Sequence, residues 1–386
     1  MIDWKNWSGS QQHLARQLAT PESEAALSSL LNKAQNEKLT VRAIGSAHSF
    51  VPFWTDDILL SLDHMKGITE INTTNQQVTM WAGTKLHEIG VPLWAAGLSM
   101  INMGDIDRQS IAGAIGTGTH GTGRDLQNIS NQVVSIRLMQ ANGDVVTLDH
   151  DDGDLFSAAQ VSMGTLGVVT QVTLQAIKSY HLVERTWEAS VEECGVALEE
   201  FIEANRHFEF FWDPSRDLCE MKTLNPVEMG FTQGDLPVGP AHEIIPSARD
   251  LAFNEIEFSV PYDSGWDCFL ELRALMKNKY PDVRWPLEYR TLAADQSLLS
   301  SANGRKTVTI SAHESNRRDH VAFFLEVENL FRRYDGRPHW GKVHTHKQSE
   351  LSGRLPGFDR FCEVRRSLDP EGRFLNSFLN GIFGMG

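Results

Sequence analysis

The sequence predicts an α+β fold, and three observations predict it. Over residues 1–178, short apolar runs alternate with turn signals and helical patterns. Two of those runs flank Ala141-Asn142-Gly143-Asp144, and Asn-Gly between apolar runs is a strong signal for an antiparallel hairpin. From Tyr180 the texture changes: long strands carry Phe208, Phe210, Phe211 and Trp212, and two long helical patterns follow. That mixture fits an antiparallel sheet with helices. A chain of 386 residues suggests two or three domains. The expected units are 1–178, 179–336, and a C-terminal segment 337–386 that returns to the first.

Taken in order, Trp4-Lys5-Asn6-Trp7-Ser8-Gly9 is an aromatic lead-in packed on the first unit. Thr20 before Pro21, Glu22 and Glu24 marks a helix start: a capping hydroxyl, a first-turn proline, and acids at the positive dipole end. Leu27, Leu30, Leu31 and Ala34 give that helix an apolar face. Val41 to Phe50 reads as a strand entering a tight turn. Strands follow over 58–62, 68–71 and 77–82, then a helix over 84–96 closed by Gly97. After a glycine-rich loop come the hairpin strands 133–140 and 145–148, a short helix over 155–159 and a strand ending near Ile177. In the second unit, 223–252 reads as a loop rich in Pro and Gly, long enough to be functional or mobile. Strands are expected over 254–260, 285–292 and 307–313, and helices over 265–279 and 317–334.

Composition is ordinary for a globular protein, with 41% hydrophobic and 22% charged residues. A net charge of −15 argues against nucleic acid or an anionic membrane as the main partner. Cys194, Cys219, Cys268 and Cys362 are scattered without metal or redox spacing and read as buried thiols. The first residues lack the apolar run of a signal peptide, and no stretch approaches the ~20 apolar residues of a membrane span. A cytoplasmic protein without membrane insertion is expected.

Two glycine-rich stretches carry the chemistry. Gly45-Ser46-Ala47-His48-Ser49 follows the first strand, and Gly113 to Gly123 repeats the logic around His120. Glycines let a ligand approach the main chain, and clustered backbone N–H groups suit a pyrophosphate. No Gly-Lys-Ser/Thr follows either stretch, and the spacing is wrong for a Rossmann dinucleotide fingerprint. Glu288 and Arg290 flank Tyr289 on an expected strand, so both point to one face. Read alone, that pair is as well explained by a structural ion pair.

These stretches resemble vanillyl-alcohol-oxidase-type FAD-dependent oxidoreductases. His339-Trp340-Gly341-Lys342 and Asn102-Met103-Gly104-Asp105-Ile106-Asp107 are similar to motifs of the aldonolactone oxidase and alditol oxidase branch. The resemblance implies a two-subdomain FAD-binding domain plus an α+β cap, or substrate, domain with an antiparallel sheet. It implies FAD attached covalently through His48. It places Arg42, Gly45, Ser46, Ala47 and Ser49 at the cofactor, with Met103, Gly104, Asp105 and Ser110. It also places Gly113, Gly116, Thr117, Gly118, His120, Gly121, Val168, Val169 and Lys342 there. Glu288, Arg290 and Lys342 are the implied catalytic set. Asp105, Ser311 and His313 join them as substrate contacts, although Asp105, Ser311 and His313 depart from the alditol oxidase pattern. His344-x-His346 resembles a metal pair, but no third ligand stands at suitable spacing, so no metal is expected. The expected activity is oxidation of an alcohol on a polyhydroxylated substrate. A sugar 1,4-lactone is ranked first, and an alditol or a nucleoside-type alcohol follows. The hydride passes to the flavin and then to dioxygen, giving hydrogen peroxide. A dehydrogenase using a cytochrome or quinone is the alternative.

Overall fold

The structure is a computed structural model and describes residues 1–247 and 251–384. Its largest element is an eight-stranded antiparallel sheet. In spatial order the strands are Val238–Pro240, His181–Ser190, Leu218–Val227, His207–Asp213, Leu287–Leu292, Thr307–Ser315, Phe253–Pro261 and Arg337–Pro338. Alternation gives it two unlike faces. One face presents Phe208, Phe210, Trp212, Ile256, Phe258, Tyr289 and Ile310 to a single apolar core. Helices Val191–Ala204, Gly265–Lys279 and Val321–Arg333 cover it through Leu198, Phe269 and Phe331. Phe210 stacks on Tyr289 at 4.8 Å between ring centroids. The other face carries the charged residues and looks toward the rest of the chain.

That remainder holds a five-stranded antiparallel sheet and a three-stranded parallel one. In the first, Val145–Asp149 pairs antiparallel with Val133–Met139, and Gly143 in their turn has φ +80°. In the second, Val41–Ile44 and Gln17–Ala19 flank Ile58–Ser61. Arg337–Pro338 closes the large sheet by pairing with Phe258 and Ser259. Beyond it, Trp340, Phe358, Phe361 and Phe383 pack into the same core as Leu86, Ile115 and Leu138. Trp7 bridges the two regions, 5.4 Å from the His48 ring and 5.2 Å from Phe253. Among the described residues no helix is long and apolar enough to cross a membrane. The four cysteines are free and buried.

Several elements differ from the sequence expectation. The first helix spans Glu24–Glu37, and Ser23, not Thr20, caps it by accepting from the Ala26 amide. Burial of Leu27, Leu31 and Ala34 fixes the frame, and the hydroxyl nearest that frame becomes the cap. The expected helix over 84–96 is broken into a 3₁₀ turn, Leu86–Glu88, and a helix, Gly90–Ala95. Pro92 has no N–H to give the Glu88 carbonyl, so the turns cannot join. The glycine run is not all loop: Ile111–Thr117 is an α-helix, ended by Gly118 at φ +74°. Ile111, Ala114 and Ile115 recur at helical spacing and are buried, which outweighs the low propensity of Gly113 and Gly116. The long loop is also shorter than composition implies. Strand Leu218–Val227 takes its start, and a strand at Val238–Pro240 and a helix at Ala241–Ile244 lie within it. Residues 248–250 of that loop are outside the described residues.

Phe210 is the keystone of the apolar side. Phe210→Ala should cost about 3–5 kcal/mol, because it opens a cavity beneath three other rings, Tyr289, Phe269 and Trp266. Urea denaturation of the two proteins checks this.

Candidate active site

The charged face of the large sheet forms the wall of a cavity of about 620 Å³. Cross-strand pairing sets the rows: Glu255 faces His313, and Glu257 faces Ser311, which faces Glu288. One step along, Thr309 faces Arg290, Arg290 faces Glu209, and Glu209 faces Lys222. From across the cavity come Gly104, Asp105, Thr119 and His120, and from the C-terminal segment His339 and Lys342. The sheet thus delivers one half of the site and three loops deliver the other.

The ionic contacts are dense and buried. Arg290 Nη2 lies 3.2 Å from Glu288 Oε2 and 3.3 Å from Glu257 Oε2. His120 Nε2 lies 2.6 Å from Glu257 Oε1, and His120 Nδ1 lies 2.8 Å from the Gly121 carbonyl. Lys342 Nζ pairs with Glu255 and sits 5.5 Å from the centre of the Phe50 ring. Lys222 Nζ holds Glu209 at 3.1 Å. Acids outnumber their cations locally: one ligand oxygen each of Asp105, Glu209 and Glu288 lie within 4.8 Å of one another. Burial, added to by the nearby Asp105, Glu209 and Glu255 charges, pushes the Glu288 carboxyl up to about 8 despite Arg290. Burial works the same way on Glu257, but the His120 and Arg290 charges overcome it and hold that carboxyl well below the usual range. Burial pushes His339 down to about 3.

A second, narrower space of about 130 Å³ opens behind Gln109, which lines both. Gly45, Ser46, Ala47, His48 and Ser49 form one wall, and Ser110, Gly113, Gly116 and Thr117 the other, with Val169 also lining it. Ala47 has φ +57°, which turns the chain so that His48 faces this cleft. A Cβ on Gly45 would lie 2.4 Å from Ser110 Oγ, so a side chain here would push the serine hydroxyl out of its place where the walls close. His48 Nδ1 is buried with no protein partner, the kind of polar atom that needs a ligand. An elongated group with a polar, atom-accepting end fits these residues, and a flavin dinucleotide is such a group.

Arg42 also lines the cleft, but its guanidinium is consumed by the protein. It donates to the carbonyls of Phe53, Met163, Gly164 and Phe374 and so ties the walls together. Met103, Gly118, Gly121, Val168 and Ser311 line neither space. Val168 is core, Gly118 caps a helix, and a Cβ on Gly121 would lie 2.0 Å from the Met103 carbonyl. Ser311 sits in the row between two acids with its hydroxyl buried. Sequence reasoning missed Glu255, Glu257, Glu209 and Lys222, and named His339 only as part of its motif, not as a site residue. The signal was present: Asn254 to Val260 alternates acid with large apolar residues, but the polar face of such a strand ordinarily faces water.

Comparison with known proteins places the chain. A model of an FAD binding domain matches residues 15–149, and one of D-arabinono-1,4-lactone oxidase matches residues 228–382. An L-gulono-1,4-lactone dehydrogenase of Mycobacterium tuberculosis is 33% identical, over 99% of this chain and 99% of its own. An alditol oxidase of Streptomyces is 27% identical over 98% of both chains. The fold matches a crystal structure of cholesterol oxidase from Brevibacterium sterolicum, with a TM-score of 0.87 at 16% identity over 99% of this chain and 96% of that one. Cleft, cavity and both matched domains agree: this chain belongs to the aldonolactone oxidoreductase and alditol oxidase branch of the vanillyl-alcohol-oxidase-type FAD-dependent oxidoreductases.

Proposed function

We propose that this protein oxidises an alcohol group of a neutral, hydroxyl-rich molecule, with a sugar 1,4-lactone ranked first. Residues 1–178 and 337–386 hold FAD, and residues 179–336 supply the substrate wall. The observation that carries the reading is the charged sheet face with Glu255, Glu288, Arg290 and His313 lining a cavity beside Lys342. A buried polar group left without a partner costs ~1–3 kcal/mol, so such a wall favours a ligand with many hydroxyls over an aliphatic alcohol. Asp105 suits a vicinal diol, which keeps alditols and ribose-type alcohols as the next substrates.

The bound flavin supplies the hydride acceptor. Glu288 accepts hydrogen bonds from substrate hydroxyls. Arg290 stabilises negative charge as it develops on the alcohol oxygen; burial alone would disfavour its charge, but the Glu288, Glu257, Asp105 and Glu209 charges outweigh burial and hold the guanidinium protonated. Lys342, anchored by Glu255, presents a second fixed cation on the cofactor side. Kinetics on a sugar lactone, xylitol, a nucleoside and butanol test the reading. At least one hydroxyl-rich compound should exceed butanol in kcat/KM, and parity or better for butanol would end the polar-wall argument. Arg290→Ala and Lys342→Ala should each slow anaerobic flavin reduction ~100-fold or more while FAD stays bound.

The flavin is attached through His48. Burial, with Lys342 and Lys85 nearby, pushes this histidine down to about 4, so at neutral pH the ring is uncharged and has the lone pair that bonding to carbon requires. Acid-denatured protein should carry flavin fluorescence on a gel, and His48→Ala should release its flavin. Complete release from the unsubstituted protein would refute the linkage.

Dioxygen is the acceptor in this reading. Gly104 lines the cavity, and a Cβ there would stand 3.1 Å from the His120 carbonyl, so any side chain crowds this edge. Gly104→Val should depress reoxidation by oxygen more than by a dye, and an equal loss on both would remove the argument. The 33% identical relative is named a dehydrogenase, which favours a second reading with a cytochrome or quinone acceptor. Peroxide yield against dye reduction separates the two.

A further inference from the structure

Glu257 has no role in that reading, yet it is the most enclosed acid of the cavity, at 1% exposure. Both of its oxygens are engaged by donors, Oε1 by His120 and Oε2 by Arg290. Arg290 Nη2 is shared, standing 3.3 Å from Glu257 and 3.2 Å from Glu288. The two carboxyl groups are not equivalent. A carbonyl accepts at His120 Nδ1, so that nitrogen carries hydrogen, and Nε2 is the nitrogen that meets Glu257. Glu257 therefore has a side-chain partner on each oxygen, His120 on Oε1 and the Arg290 cation on Oε2.

Glu288 has a cation on one side, and three acids and a histidine on the others. From the strand His207–Asp213 it meets Glu209, from the loop across the cavity Asp105, and from the strand Phe253–Pro261 Glu255. From the strand Thr307–Ser315 it meets His313. Two other nearby lysines are held by other acids, Lys222 by Glu209 and Lys342 by Glu255. His339 lies beyond His120, with ring centroids 5.8 Å apart.

We infer that Glu257 is a positioning residue: it is the standing counter-ion of Arg290, and it thereby leaves Glu288 as the carboxyl that exchanges a proton with the substrate hydroxyl. The inference rests on the proposed placement of Glu288 and Arg290 against substrate. In the step, the substrate O–H bond breaks and an O–H bond forms on ionised Glu288. The carbinol hydrogen leaves with its electron pair to the bound flavin. Carbonyl product, reduced flavin and neutral Glu288 balance the reactants. The opposite displacements of the two acids agree with this division, Glu257 held low and Glu288 raised to about 8. Glu288 is neutral below that pH and a proton acceptor above it.

The test uses the flavin-loaded enzyme and two readouts. Infrared difference spectra across pH should show a protonated carboxyl band that titrates near 8 and is absent in Glu288→Gln. In Glu257→Gln, Arg290 loses its other counter-ion and turns to Glu288, so the midpoint should fall by about one pH unit or more. Glu257→Asp, which keeps the charge, should return it toward the unsubstituted value. Anaerobic flavin reduction by L-gulono-1,4-lactone should show the same displacement in its pH profile, with a lower plateau. A rate loss at every pH with an unmoved midpoint would make Glu257 merely structural and overturn the inference. So would the lack, in the unsubstituted enzyme, of any band near pH 8 that Glu288→Gln removes, a result that stands even if Glu257→Gln does not fold. Because the infrared readout needs no turnover, failure of lactone to reduce the flavin would count against the substrate reading alone.

Discussion

Arg290 stands between two buried carboxyl groups, and the cavity is arranged around that contact. Charges withdrawn from water are costly, and removing one partner of a buried pair typically costs about 3–5 kcal/mol. The protein meets this by spreading the charges over a rigid sheet. Glu257, Glu288 and Arg290 occupy three positions on two strands separated by a third, so their distances are fixed by backbone hydrogen bonds. The apolar core on the opposite face, from Phe210 to Phe331, holds those strands in register. Chemistry on one face and packing on the other are consequences of a single alternation.

The same constraint explains why the chain returns. The strand Arg337–Pro338 closes the sheet edge, and the next residues swing His339 and Lys342 into the cavity. Trp340, between them, is buried against Phe383, with its indole N–H donating to the Leu299 carbonyl. The motif is thus a hinge in sequence whose apolar residue packs into the core that holds Leu86 and Ile115 and whose polar residues line the cavity. His120 reaches across from the glycine-rich stretch to Glu257 and joins the two halves of the site by a buried hydrogen bond.

The narrow cleft solves a different problem. Small residues bring two stretches of backbone together, as at Gly45 against Ser110, and Arg42 braces the wall by donating to four carbonyls. A guanidinium spent in this way fixes the loop that carries His48 without itself needing a ligand. The two spaces are therefore unlike: a tight, mostly apolar cleft and a wider cavity lined by charged side chains.

Much of this was legible in the residues. Alternation in 254–260 and 307–313, the Asn142-Gly143 hairpin and the helical spacing of 265–279 are local properties, so the strands and helices there followed from neighbours a few positions away. His48, Glu288, Arg290 and Lys342 stood out through the family resemblance of their motifs; read alone, the Glu288 and Arg290 pair was as well explained by a structural ion pair. The helix at Ile111–Thr117 did not, since its glycines argue for a turn and only burial of Ile111 and Ile115 reverses that. Glu255 and Glu257 were seen as a strand's polar side and nothing more. By itself the sequence determined which residues alternate and which loops bend. Whether a polar face meets water or a second layer of protein depends on what packs against it from 130 or more residues away, as His120 does on Glu257. Only the tertiary structure decided that, and with it the charges of the site.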